Sequence, residues 1–232
     1  MTIENFCYDV VQMYKAEYLC RPTSTDIQLL YVALEARHGF PRMLGSIDCI
    51  HLNWRNYPTE LRGQYMRGDH QYPSMILEAH AFYGVAWSNN DLNVLYQSPL
   101  FDEKDHGTGP DCSFYLNDEH YKHGYYLADG KYPSWAVCVK AYPYLVTDKK
   151  IQFKAAQVSA RKDVERAFGV LKGRWDILKM PARAMTVKTT KNIMYVCIIL
   201  HNMILKHEGD AISPVYQPDP PTDKVDDQEI IH

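Results

Sequence analysis

The sequence lacks an apolar run long enough to cross a membrane. Its longest apolar stretches, residues 75–87 and 193–205, are interrupted by polar or ionisable side chains such as Glu78 and His201. A membrane-spanning helix needs about 20 consecutive apolar residues. Residues 1–18 also carry acidic and polar side chains where a secretion signal has a basic start and an apolar core. We therefore expect an intracellular protein with no membrane partner.

Paired cysteines are also absent. The six cysteines are scattered along 232 residues, with no Cys-X-X-Cys pair. Zinc sites and small disulfide scaffolds both need cysteines at closer, regular spacings. The sequence therefore predicts neither, and its hydrophobic content of 46% is that of a globular protein able to bury a core.

The chain as a whole has no excess of positive charge, but one segment does. A net charge of -3 argues against a protein that binds nucleic acid over its whole surface. Residues 149–191, however, contain twelve lysines and arginines against three acids, a local charge of +9. This segment favours a face that binds a polyanion, and a solvated helix surface is the plainer alternative.

Hydrophobic periodicity predicts an α/β protein. Helices are expected over residues 1–37, 88–101, 159–178 and 189–208, the third of them capped by Ser159. Strands are expected over residues 45–54, 74–87 and 125–128, and residues 102–124 read as a long loop or a weak hairpin. We divide the chain into a helical segment (1–44), an α/β domain (45–208) and a disordered acidic tail (209–232).

Three carboxylates stand out by position. Asp48 and Asp129 fall in short strand-like segments, and Glu165 lies on the basic helix. An unpaired buried charge costs several kcal/mol, and a divalent cation with oxygen ligands would offset that cost. Turn chemistry at Asp129 and a surface ion pair at Glu165 are the plainer alternatives. His51 and His201 are expected to pack inside, because Mg²⁺ prefers oxygen to imidazole.

Six segments carry a family resemblance. In chain order they are LGSIDCIHLNW, GQYMRGDH, GVAWSNNDLNVLYQSPLF, YYLADGKYPSW, RKDVERAFGVLKGRW and NIMYVCIILHNMI. In type, order and spacing they closely resemble the blocks of plant Harbinger-type (PIF-like) DDE transposases and of their domesticated nuclease-like relatives. The resemblance extends over residues 5–208.

This resemblance implies a ribonuclease-H-like fold, a mixed sheet flanked by helices. It also implies that Asp48, Asp129 and Glu165 are catalytic and bind Mg²⁺ or Mn²⁺, with Asp91 as a further metal ligand. The implied activity is metal-dependent cleavage of DNA phosphodiesters by a two-metal mechanism. The alternative is a domesticated, inactive scaffold that makes protein contacts in the nucleus.

The resemblance also bears on DNA and partners. The basic side chains around Glu165 are expected to contact DNA backbone phosphates; they are Lys162, Arg166, Lys172 and Arg174. The chain starts close to the catalytic region, without a helix-turn-helix-like part. We therefore expect a Myb-like partner protein to supply sequence-specific DNA binding and nuclear import.

One departure from the family concerns the sheet. Family members carry about nine further residues between ILEA and HAFYG, whereas this chain runs directly from Ala79 to His80. Two residues cannot form both a turn and the adjoining strand ends. The sequence thus predicts that one hairpin is shortened or lost, which would disturb the register that positions the carboxylates.

Overall fold

The computed structural model describes residues 2–19, 24–66, 72–78, 83–86, 113–144 and 146–208. These residues form five α-helices: α1 Ile3–Tyr18, α2 Ser24–His38, α3 Arg62–Tyr65, α4 Asp148–Arg174 and α5 Val187–Glu208. Their first four strands are β1 Met43–Ser46, β2 Cys49–Asn53, β3 Ser74–Glu78 and β4 Tyr83–Ala86. The other four are β5 Phe114–Leu116, β6 Glu119–Tyr121, β7 Tyr125–Ala128 and β8 Cys138–Lys140. The predicted mixed α/β class is confirmed.

The two N-terminal helices agree with the prediction. Thr2 caps α1, its hydroxyl accepting a hydrogen bond from the Asn5 backbone N–H at 3.4 Å. One face of α1 then packs against α5, where Cys7 and Val11 are buried with Ile199. No helix in the described part of the chain is both long and apolar enough to span a membrane.

The strand predicted over residues 45–54 starts earlier and is interrupted. β1 pairs in parallel with β7, and β2 pairs antiparallel with β3. Only Ile47 and Asp48 separate β1 from β2, and the Ile47 N–H still bonds to the Leu127 carbonyl at 2.9 Å. The interruption lies where the chain exchanges one neighbouring strand for another, a change of partner that alternating hydrophobicity does not predict.

The hairpin expected to be shortened or lost is present, with strands of five and four residues. β3 and β4 pair antiparallel, with Met75 opposite Ala86 and Ile76 opposite Val85. Residues 79–82, which lie outside the described residues, connect the two strands. The predicted loss of this hairpin was therefore wrong, because β4 pairs with β3 in spite of the short connection.

The hairpin alternative for residues 102–124 is confirmed over its second half. β5 and β6 pair around Asn117 and Asp118, whose φ angles of 51° and 64° are typical of a tight hairpin turn. The short strand β8, which follows several turn residues, was not predicted. The predicted helix over residues 88–101 and the tail lie outside the described residues.

Helix α4 begins well before Ser159, so the predicted cap is wrong. Thr147 caps the helix, and its hydroxyl accepts a hydrogen bond from the Lys150 N–H at 3.4 Å. The first turns of α4 are largely polar and show no apolar period. The buried positions of α4 are Gln157, Ala160, Phe168 and Leu171. Phe168 and Leu171 join a core with residues of β2, β3 and α5.

Candidate active site

Asp48 and Asp129 each follow one of two parallel strands that pair with each other. Ser46 of β1 is paired with Leu127 of β7, and each aspartate follows its strand residue by two positions. Neighbouring strands are about 4.8 Å apart, so the register brings the two aspartates to the same edge of the sheet. Asp48 and Asp129 are 81 residues apart in the sequence (129 − 48), and the parallel pairing of β1 with β7 brings them to one edge of the sheet.

Helix α4 crosses these strand ends and is fixed there by polar contacts. The Gln157 amide, which is almost fully buried, donates to the Ala128 carbonyl at 3.0 Å and to the Val139 carbonyl at 3.4 Å. The Ala160 carbonyl accepts a hydrogen bond of 3.5 Å from the Ser46 hydroxyl. The helix therefore contacts the residue just before Asp129 and, through Ser46, the strand that leads to Asp48.

Arg161 and Lys131 bring positive charge to this edge. Arg161 Nη1 lies 3.9 Å from one carboxylate oxygen of Asp129, and Lys131 Nζ lies 3.9 Å from the other. The Asp129 side chain is 44% exposed, so water screens both ion pairs and each contributes at most about 1 kcal/mol. Arg161 Nε is buried and makes no hydrogen bond within the described residues. The Nε–H of Arg161 is thus a hydrogen-bond donor without an acceptor among the described residues.

Burial has a clear effect on the carboxylate of Asp48. Desolvation raises its pKa, and the negative charge of Glu165 raises it further. A hydrogen bond from the Cys49 backbone N–H and the charges of Lys131 and Arg161 lower this pKa, but they do not cancel the effect of burial. The charges of Glu165, Lys131 and Arg161 thus all act on the pKa of Asp48.

The donor chemistry of this neighbourhood fits a hard divalent cation, because Asp48, Asp129 and Glu165 offer carboxylate oxygens. Within the described ranges, no three aspartate, glutamate, histidine or cysteine side chains are already arranged around a common point as metal ligands. Asp91 lies outside the described residues. The carboxylate types and backbone positions therefore suit an ion, while Asp129 is oriented toward Lys131 and Arg161.

The four basic residues predicted to contact DNA do not share one face of α4. A helix turns about 100° per residue, so Lys172 lies on the same flank as Arg161 and Glu165. Lys162 is exposed and points farther outward. Arg166 bonds to Asp163 at 2.9 Å, a contact within the helix.

Arg174 lies on the opposite flank of α4. Its Nη1 is 3.0 Å from His201 Nδ1 on α5. This contact agrees with the prediction that His201 is a hydrogen-bonded interior residue. Burial, followed by the Arg174 charge, lowers the pKa of His201. His51 is half-buried on β2, as expected for a residue packed in a strand.

Sequence reasoning missed three residues of this site. Lys131 lies two residues after Asp129, and Arg161 lies four residues before Glu165, a spacing that puts both on one helix face. That spacing was a usable signal, although it suggested a pair with Glu165 rather than with Asp129. Gln157 gave no signal, because its role depends on strands far away in sequence.

The described residues thus define an α/β protein with carboxylates at the ends of adjacent parallel strands, bordered by lysine and arginine. The family described as plant transposon protein matches residues 16–212, and the chain belongs to this family. A search of curated proteins and a search of solved structures found no match. The protein is therefore transposon-derived and transposase-like.

Proposed function

We propose that this protein is a metal-dependent DNA endonuclease of the Harbinger-type DDE transposase class. The observation that supports the proposal is the register of β1 and β7, in which Asp48 and Asp129 each follow a paired strand residue by two positions, next to the helix that bears Glu165. Acidic residues on adjacent strand ends and a crossing helix are a suitable arrangement for binding divalent ions next to a phosphodiester.

The proposed fold is ribonuclease-H-like. If β1 and β2 count as one interrupted strand, the two three-stranded sheets become a single mixed sheet in the order β4, β3, β2/β1, β7, β8. The pairing of Ile47 with Leu127 across the interruption supports this interpretation. Helices α4 and α5 then pack on the sheet through the main core.

Asp48, Asp129 and Glu165 would hold Mg²⁺ or Mn²⁺, with Asp91 as a further ligand. When bound, a pair of such ions supplies the Lewis acidity that activates water and stabilises the leaving oxygen in phosphodiester cleavage. The chain's own contribution begins with Asp48, whose burial makes its ionised form costly and hence responsive to a nearby cation. Lys131 and Arg161 can then turn from the carboxylates to the phosphate oxygens.

DNA would lie along the flank of α4 that carries Arg161, Glu165 and Lys172. Phosphate contacts of this kind position DNA without reading its sequence, and their strength falls as salt rises. Lys162 and Arg166 would extend the positive field next to this flank, and Arg174 would add positive charge on the opposite flank. Sequence-specific binding would come from a Myb-like partner, which would also bring the protein into the nucleus.

The test measures metal binding and cleavage separately. We expect the protein to bind Mn²⁺ in calorimetry and to nick supercoiled plasmid DNA when Mn²⁺ or Mg²⁺ is present. Asp129→Asn should weaken Mn²⁺ binding at least roughly tenfold, since even loss of an outer-shell partner costs 10–100-fold. Asp118→Asn, in the exposed turn between β5 and β6, is the matched control and should change neither quantity.

A second candidate function is a domesticated scaffold without catalysis. The ion pairs of Asp129 with Lys131 and Arg161 favour this function, because these two cationic groups already balance the carboxylate charge that a metal ion would otherwise neutralise. A folded protein that binds no Mn²⁺ and nicks no plasmid would refute the endonuclease and leave this alternative.

A further inference from the structure

A groove lies on another part of the molecule, among the first turns of α1 and α5, the end of β2 and residues 177–185. Its main cavity has a volume of about 430 Å³. Apolar side chains form most of the lining, among them Ile3, Leu52, Ile177, Met180, Met185 and Ile193. None of the lining residues belongs to the carboxylate site. The groove therefore needs an explanation of its own.

One wall of the groove is held rigidly by the backbone. The Trp54 indole N–H donates to the Ala184 carbonyl at 2.7 Å, and Trp54 itself is fully buried. The Ala182 N–H donates to the Asn53 carbonyl at 2.8 Å, and the Ala182 carbonyl accepts from the Arg55 N–H at 2.8 Å. The segment that bears Met180 and Met185 is thus fixed along the edge of β2. The cavity is already formed before any ligand binds.

Large apolar side chains at the lip of the groove are exposed. Ile3 is 56% exposed, Met180 is 54% exposed and Met185 is 67% exposed. A cluster of exposed apolar side chains around a cavity is typical of a protein interaction site. The flexible thioethers of methionine adapt to apolar side chains of different shape. The groove is therefore suited to receiving apolar side chains from another polypeptide.

The charge around the groove favours an acidic occupant. Arg183 lines the groove and is exposed, which leaves its side chain accessible at the lip. Lys188 lines an adjoining cavity of about 210 Å³ that shares Glu4 and Thr189 with the first. The N-termini of α1 and α5 also meet here, and their partial positive charge attracts anions. Glu4 is the sole acid among the described lining residues of both cavities, and it accepts a hydrogen bond from Thr189.

We propose that this groove binds a segment of a partner protein in which large apolar side chains are flanked by aspartates or glutamates. The apolar side chains would enter the cavity between Met180 and Ile193, and the carboxylates would pair with Arg183 and Lys188. Preformed apolar pockets edged by a few charges are the usual form of such peptide sites. This binding does not depend on catalysis at Asp48 and Asp129.

The test selects twelve-residue peptides from a random display library on the full chain. We expect the enriched peptides to combine leucine, isoleucine, methionine or aromatic residues with at least two acids. Fluorescence anisotropy with a labelled enriched peptide should show at least roughly tenfold weaker binding to Met185→Lys and to Arg183→Glu, as expected at a binding hot spot. Both side chains are exposed, so the circular dichroism of the variants should match that of the parent.

Two matched control variants carry the same kinds of substitution at exposed positions outside the groove. Met13→Lys changes a methionine that is 69% exposed on α1 and does not line the groove. Lys122→Glu reverses an exposed charge beside β6. Peptide binding should be unaffected by both controls. The proposal is overturned if no peptide is enriched, if the enriched peptides lack acids, or if Met185→Lys and Arg183→Glu bind as tightly as the parent.

The proposal is also overturned if the groove is filled by the chain's own tail or by a second copy of the chain. Residues 209–232 contain six acids, and replacing them by their amides would strengthen peptide binding if the chain's own tail filled the groove. A second copy of the chain would appear in light scattering as a dimer that Arg183→Glu dissociates. If the groove binds a segment of a partner protein, we expect neither result.

Discussion

Gln157 offers a quantitative test of how α4 is fixed to the strand ends. The substitution Gln157→Met keeps the length and most of the volume of this side chain while removing both polar atoms. It deletes the hydrogen bonds of 3.0 and 3.4 Å to the Ala128 and Val139 carbonyls, directly before Asp129 and near the end of β8. The substitution therefore tests stability and the position of Asp129 together.

The expected change in the free energy of unfolding results from two opposing effects. A buried carbonyl that loses its donor costs about 1–3 kcal/mol, and the 3.4 Å bond is long enough to contribute little. Against this, Gln157 Oε1 is buried and accepts no hydrogen bond within the described residues, so its removal recovers part of that cost. We expect a net loss of about 1–2 kcal/mol in the free energy of unfolding.

Urea denaturation followed by tryptophan fluorescence measures this loss. With an m-value of about 2 kcal/mol per M, the midpoint should fall by about 0.5–1 M urea. Gln152→Met, at an exposed position on the same helix, is the matched control and should leave the midpoint unchanged. If Gln157→Met unfolds at the midpoint of the parent, the two hydrogen bonds do not fix the helix and the reasoning fails.

Two further predictions concern pH. The pKa of His201 is lowered, so its contribution to stability is complete above about pH 6.5 and is lost as the pH falls through the folded-state pKa. In the His201→Gln variant, the free energy of unfolding should therefore decrease less as the pH falls. Urea titrations at several pH values measure this difference. Asp48 has a raised pKa, so its contribution is present below about pH 4 and is lost as the pH rises through the folded-state value. Asp48→Asn should therefore stabilise the protein at pH 7 by about 0.5–2 kcal/mol, with the gain shrinking toward acidic pH.

Controls for these pH predictions lie at exposed positions. His207→Gln, in the last turn of α5, should leave the pH profile of stability unchanged. Asp118→Asn should give no gain at pH 7. A gain from Asp48→Asn that is as large at pH 4 as at pH 7 would show that the ionised carboxylate is not the cause.

Patterns local in sequence were predicted well. The apolar period of α5 and the turn after β7 at Gly130 depend on neighbouring residues, and both elements lie where the sequence placed them. The start of α4 at Asp148 was predicted wrongly, and so was the loss of the hairpin of β3 and β4. The first turns of α4 are polar and show no apolar period, and the error at the hairpin came from counting the residues left for its turn.

The sequence by itself determined the classes of structure and chemistry. Its blocks predicted an α/β protein of transposon origin, and the choice of aspartate at strand ends indicated an acidic site at residues 48 and 129. Only the tertiary structure decided what surrounds those acids, because parallel pairing of β1 with β7 and the crossing of α4 join residues far apart in sequence. It alone placed Arg161 and Lys131 against Asp129, and it alone formed the groove beside Trp54. Neither feature has a local sequence period, since each depends on which surfaces meet when the chain folds.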